Sequence, residues 1–129
     1  MNRREEIRVP GLAEPMSHYT DAVRAGDLLF VSGCIAVDAE GRLVGGDDVA
    51  AQARQVFANL VAALEAGGAS LADVVKVTVF LTDVGDRAAV NEVRKEQFGA
   101  TRPASTLVEV SKLVLEGARV EIEAVALVP

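Results

Sequence analysis

The sequence predicts one mixed α/β domain of 129 residues whose β-sheet is covered by helices on one face only. Three observations predict it: two segments with apolar residues at helical spacing, several β-branched runs, and a last run that is apolar on one side and mixed on the other. The length suits one domain, and area scaling buries about two-thirds of the unfolded chain's surface. Such a core needs no disulfide or metal to hold it.

The elements follow in order. Residues 7–27 mix Pro10, Gly11 and Pro15 with the polar cluster Ser17-His18-Tyr19-Thr20-Asp21, and read as loop plus a short strand around 22–24. Asp27 leads into a β-type run over 28–37, punctured by Gly33, which marks a bulge or a close backbone approach. Residues 38–46, with Glu40-Gly41 and Gly45-Gly46, form a turn-rich connection. The period then changes. Val49, Ala53, Val56, Leu60 and Leu64 recur at helical spacing, with Asp47 or Asp48 as cap and Gly67-Gly68 as stop. Val74–Leu81 is a β-branched strand. A second helix, capped near Asp83 or Asp86, carries Ala89, Val90, Val93 and Phe98 on one side and stops before Gly99. Strands over 104–110 and 119–128 complete the chain, separated by Gly117.

In the last strand Val120, Ile122, Ala124, Ala126 and Val128 share one face, and Glu121, Glu123, Val125 and Leu127 share the other. That second face, half acidic and half apolar, suits neither water nor a monomer core. It suits a subunit interface.

Composition narrows the functions. A net charge of −6 and a pI near 4.8 argue against a phosphate-tracking surface. One tyrosine and four phenylalanines are too few for a base-stacking platform, so no nucleic-acid partner is expected. The single cysteine, Cys34, excludes an intrachain disulfide and fits a reducing compartment. One histidine beside one cysteine makes a zinc site within the chain implausible, and no metal is expected. Residues 1–10 are charged (Arg3, Arg4, Glu5, Glu6, Arg8) and lack the apolar stretch of a secretory signal. No apolar run approaches the ~18 residues of a membrane helix. The expectation is a soluble cytoplasmic protein.

Chemistry candidates are few. The paired glycines lie outside any phosphate-binding motif and serve as turn and helix stop. His18, with Ser17 and Asp21 beside it, could belong to a nucleophile–base arrangement or be a solvated loop histidine; no nucleophile-elbow motif supports the former. Cys34 reads as a small buried hydrophobe, since no cationic neighbour in sequence would activate its thiol. Glu121 and Glu123 have two readings: a solvated edge face, or a carboxylate of raised pKa in an interfacial cleft that passes protons.

A resemblance adds to this. The segment Asp27-Leu28-Leu29-Phe30-Val31-Ser32-Gly33, Gln52 with Asn59-Leu60, and 68–81 (GASLADVVKVTVFL) resemble the YjgF/YER057c/UK114 or Rid family of enamine/imine deaminases. So do Val90-Asn91, Phe98, Pro103-Ala104 and 117–124 (GARVEIEA), in order and at the right spacings. The resemblance implies a chorismate-mutase-like α+β fold, with about six strands, two helices on one face, and a homotrimer with clefts at its interfaces. It implies hydrolysis of reactive enamines and imines such as 2-aminoacrylate, without a cofactor.

Residue by residue, Glu121 matches the family's last-strand glutamate, Ser32 and Gly33 its cleft serine-glycine, and Asn91 its second-helix asparagine. Tyr19 corresponds to its N-terminal aromatic, and Cys34 replaces its usual glutamine. The family's carboxylate-clamping arginine after Pro-Ala is Ser105 here, and a cysteine two residues on is Leu107. Arg102 is placed poorly to substitute, because Pro103 and strand alternation turn it away. The expected machinery is therefore Glu121 and Ser32 as catalytic residues, with Gly33, Ser105, Asn91, Tyr19, Cys34 and His18 around the substrate. Losing a charge-assisted pair costs ~2–5 kcal/mol of affinity, which moves the substrate away from 2-aminoacrylate. A deaminase-like hydrolase acting on another imine or enamine, such as an aminomuconate-type compound, is the first expectation. A non-catalytic ligand-binding or regulatory trimer is the second. A ribonuclease, an activity attached to the family name, is disfavoured by the acidic charge.

Overall fold

The computed structural model describes residues 3–129. Among them six strands form one sheet: β1 (Arg4–Ile7), β2 (Ala22–Ala25), β3 (Leu28–Cys34), β4 (Val74–Leu81), β5 (Ala104–Glu109) and β6 (Val120–Leu127). Their order is β1-β2-β3-β6-β4-β5, antiparallel throughout except for the parallel pair β4–β5. Two helices, α1 (Val49–Ala66) and α2 (Arg87–Phe98), lie on one face, as the two-helix count requires.

α1 begins where Asp48 accepts a hydrogen bond from the Ala51 N–H at 3.1 Å, so the second of the two aspartates is the cap. It buries Ala53, Val56, Phe57, Leu60 and Leu64 against Val31, Val79, Ile122 and Ala124 of the sheet. Gln52 is fully buried yet fully used. Its Nε2 donates to the Gly46 and Gly117 carbonyls at 2.7 and 2.9 Å, and its Oε1 accepts from the Arg119 N–H at 2.9 Å. Asn59 donates from Nδ2 to the Ile35 and Val37 carbonyls, both at 3.0 Å. These two amides pin the connection after β3 to α1, and that is why β3 ends at Cys34 rather than running to 37.

α2 starts after Asp86, one of the two aspartates expected there, although not by a side-chain cap. Asp83 caps the short 3-10 turn Val84–Asp86, accepting from the Gly85 N–H at 2.8 Å. Asp86 makes no cap hydrogen bond; both its oxygens take Arg119 Nη2 at 2.8 Å, tying the helix to the start of β6. Val90 and Val93 are buried beneath it, and Phe98 meets Phe57 edge to face at 5.6 Å. β1 was not foreseen. Its sequence REEI has no apolar alternation, and only its pairing with β2 makes it a strand.

Among the described residues no helix covers the other face. Phe30 lies opposite Val125 and Leu28 opposite Leu127, while Lys76, Thr78 and Phe80 lie beside Val125, Glu123 and Glu121. Phe30 and Leu127 are 44% and 49% exposed, so this contiguous patch is open in a single copy. Among the described residues no helix is long and apolar enough to cross a membrane.

Candidate active site

Gly33 sits at the irregularity predicted for it. Val31 pairs with Ala124 and Cys34 with Ile122, so Ser32 and Gly33 together oppose Glu123. The missing side chain leaves room for Glu121 on the neighbouring strand. A Cβ on Gly33 would stand 2.7 Å from Glu121 Cδ, inside contact distance. The same bulge turns Ser32 so that its Oγ donates to the Thr20 carbonyl at 2.6 Å, which holds the 17–21 loop over the site.

A cleft of about 500 Å³ opens here, with Tyr19, Asp21, Ser32, Gly33, Cys34 and Glu121 on its walls. Glu121 is half-buried, and desolvation, then the like charge of Glu123, raises its pKa above the ordinary 4.5. Asp21 is fixed by the Arg8 guanidinium and by the Val9 N–H at 2.7 Å. The Tyr19 hydroxyl accepts from the Met16 N–H at 3.2 Å.

Asn91 and Ser105 lie elsewhere. They share a second cleft, about 460 Å³, between α2 and the edge strand β5, with Arg87, Arg94 and Leu107. The register explains the separation. Ser105 pairs with Val77, which is buried toward the helices, so its side chain is on the helix face. Glu121 pairs with Phe80 on the open face. Within one chain the two halves of the expected site are on opposite sides of the sheet.

With the geometry in place, comparison decides the family. The family described as Endoribonuclease L-PSP matches residues 11–128, nearly the whole chain. The chain belongs to the YjgF/L-PSP (Rid) family. RutC family protein PH0854 of Pyrococcus horikoshii is 45% identical over 124 residues, covering 95% of this chain and 97% of that protein. A protein of Dermatophagoides farinae named 2-iminobutanoate/2-iminopropanoate deaminase is 34% identical over 128 residues, covering 99% of each. The crystal structure of the YjgF gene product from E. coli superposes with a TM-score of 0.86 at 36% identity, covering 95% of this chain and 98% of that one.

Against the Rid pattern, the structure brings Tyr19, Ser32, Gly33, Cys34 and Glu121 to one cleft and Asn91 with Ser105 to the other. His18 lines neither cleft and is exposed on the loop. Burial, with Asp21 and Glu121 nearby, pushes the Cys34 thiol up to about 12, which leaves it a protonated wall residue rather than a nucleophile. Arg102 is exposed and lines neither cleft.

Arg94 is what sequence reasoning missed. Its Nη2 donates to Ser105 Oγ at 2.9 Å. The signal was present: Arg87, Asn91 and Arg94 are spaced i, i+4, i+7, one polar stripe on α2 beside buried Val90 and Val93.

Proposed function

We propose that the chain is a hydrolase of reactive imines or enamines, working as a cytoplasmic homotrimer with Glu121 as its acid–base group. The observation that carries this reading is the Glu121 carboxylate seated over Gly33, half-buried, with raised pKa, in a cleft it shares with Tyr19, Ser32 and Glu123. The kinship with a protein named as an imine deaminase supports it. So does the open sheet face beside that cleft, where Phe30 and Leu127 are exposed and Val125 is half-buried, which a second copy would cover. Docking the edge strand β5 of one copy there would bring Asn91 and Ser105 toward the Glu121 of the next.

The chemistry balances without a redox partner. Glu121 as carboxylate takes a proton from water as the oxygen adds to the C=N carbon. The resulting acid returns the proton to nitrogen. The carbinolamine then loses ammonia and leaves a carbonyl. An enamine enters the same path once its carbon is protonated. Ser32, Tyr19 and the Gly33 N–H would orient water and substrate. Position 105 presents a hydroxyl where a 2-imino acid would need a cation, so the preferred substrate is an imine or enamine other than 2-aminoacrylate, with an aminomuconate-type compound among the options.

The test is ammonia release from a panel of imines and enamines generated in situ. At least one member should be accelerated, with 2-aminoacrylate a poor one. Glu121→Gln should cut that rate by ~10²–10⁴ with the assembly intact. No acceleration across the panel would favour the ligand-binding trimer to which the serine at 105 also points. Rapid turnover of 2-aminoacrylate would overturn the assigned preference.

A further inference from the structure

Among the described residues Arg94 is an arginine without a counter-charge. Each of Arg54, Arg119 and Lys95 meets a carboxylate within 3.1 Å, at Glu96, Asp86 and Glu92 respectively. Among the described residues Arg94 makes no such pair, and its one hydrogen bond is to the neutral hydroxyl of Ser105. It is also only partly solvated: burial alone pushes its pKa below the ordinary arginine value, with no carboxylate contributing. A guanidinium offers five N–H donors in a fixed fork. One is used, and the fork faces a cleft of about 460 Å³ that also presents the Asn91 amide. A half-desolvated cation with spare donors in a cleft is matched by an anion that the free protein does not supply.

We propose that Arg94 binds the carboxylate of the substrate, with Ser105 as the positioning residue that orients its guanidinium. This rests on the hydrolase reading for the identity of the substrate as an imine or enamine, and adds that it is an anionic one. The cation is anchored on α2 and reaches toward β5 from behind Ser105. That location suits a carboxylate set back from the C=N carbon better than one bonded directly to it. Because Arg94 is on the helix side and Glu121 on the open side, the Arg94 of one copy serves the Glu121 of another. Arg87, one helical turn before Asn91, lines the same mouth, and Glu92, the acidic residue there, is paired with Lys95 at 3.1 Å rather than with Arg94.

The experiment is an NMR titration of the intact protein with two stable keto acids, 2-oxobutanoate and 4-oxopentanoate, and with their methyl esters. Their ketone stands for the hydrolysed carbon, with the carboxylate adjacent to it or two carbons removed. The acids should bind saturably, 4-oxopentanoate the tighter, and the esters should not. Arg94→Met keeps the aliphatic packing of the stem and should weaken acid binding by ~30-fold to ~1,000-fold. Adding Ser105→Arg to that variant should recover at least about 10-fold by restoring a fork at the same cleft. Acid binding absent from the wild type, or unchanged in Arg94→Met, overturns the proposal. Glu121→Gln separates the two readings, since it should keep acid binding while losing turnover. Acid binding that depends on Arg94, with no imine turned over by the wild type, would fail the hydrolase reading and leave the Arg94 assignment standing. Turnover with carboxylate recognition indifferent to Arg94 would do the reverse.

Discussion

The Glu121 carboxylate occupies the space that a side chain on Gly33 would need, with Cδ 2.7 Å from where its Cβ would stand. The bulge on β3 and the acid on β6 are thus one feature, a strand emptied of a side chain so that its neighbour can turn a carboxylate into the cleft.

That relationship distinguishes two glycines. At Gly33 the obstacle is the far end of a flexible glutamate, which can swing away. Gly33→Ala should therefore change stability by less than ~1 kcal/mol while displacing Glu121 and lowering turnover at least about 10-fold. At Gly67 an added Cβ would stand 2.6 Å from Leu29 Cδ1, and Leu29 is fully buried. Gly67→Ala should cost ~1–3 kcal/mol with catalysis per folded molecule unchanged. Denaturant melts beside rate measurements on both variants check the contrast. A large stability loss at Gly33 would count against it.

The raised pKa of Glu121 has a definite sign in stability. Below pH 4.5 the carboxyl is protonated in both folded and unfolded chains. As pH rises past that value the unfolded chain ionises first, so the favourable contribution is lost progressively until the folded carboxyl ionises too. Glu121→Gln should match the wild type in stability near pH 4 and exceed it near pH 7. A difference that shrinks with rising pH would contradict the shift.

In the proposed mechanism the same group sets the activity profile. With Glu121 as base, kcat/KM should rise with pH through a midpoint above 4.5, set first by desolvation and then by Glu123. Glu123→Gln removes the like charge and should move that limb to lower pH without abolishing it. An unmoved limb would place the titrating group elsewhere.

Val125 and Leu127 share the open face with the exposed Phe30. A lysine at either position adds a charge where a second copy would bury it. Val125→Lys should sediment as a 13.5 kDa monomer with an intact fold by circular dichroism. An unchanged assembly would show that this face is not the interface.

Mixing tests the shared site. Glu121→Gln and Arg94→Met are each expected to be poor enzymes. If the two residues act across an interface, refolding the variants together at equal amounts should restore about a quarter of the sites, those with both native groups. Activity no greater than the sum of the separate variants would return both residues to one chain.

Much of this was written locally in the chain. The periods of α1 and β4, the cap at Asp48, the punctured strand at Gly33 and the two faces of β6 depend on neighbours within a few residues, where spacing alone decides which side a residue takes. Strand patterning located Gly33 as a break and put Glu121 with Glu123 on one face; it was the family resemblance that singled out Ser32, Gly33 and Glu121 as site residues. Other features depended on pairings across long separations. β1 is a strand because β2 lies beside it, and Asp86 serves Arg119 rather than its own helix because a guanidinium 33 residues away offers two strong contacts. The parallel register of β5 put Ser105 on the helix face, away from Glu121, and under Arg94 of α2. No local pattern encodes that pairing: alternation says that Ser105 and Leu107 share a side, and only the docking of β5 on β4 says which side it is.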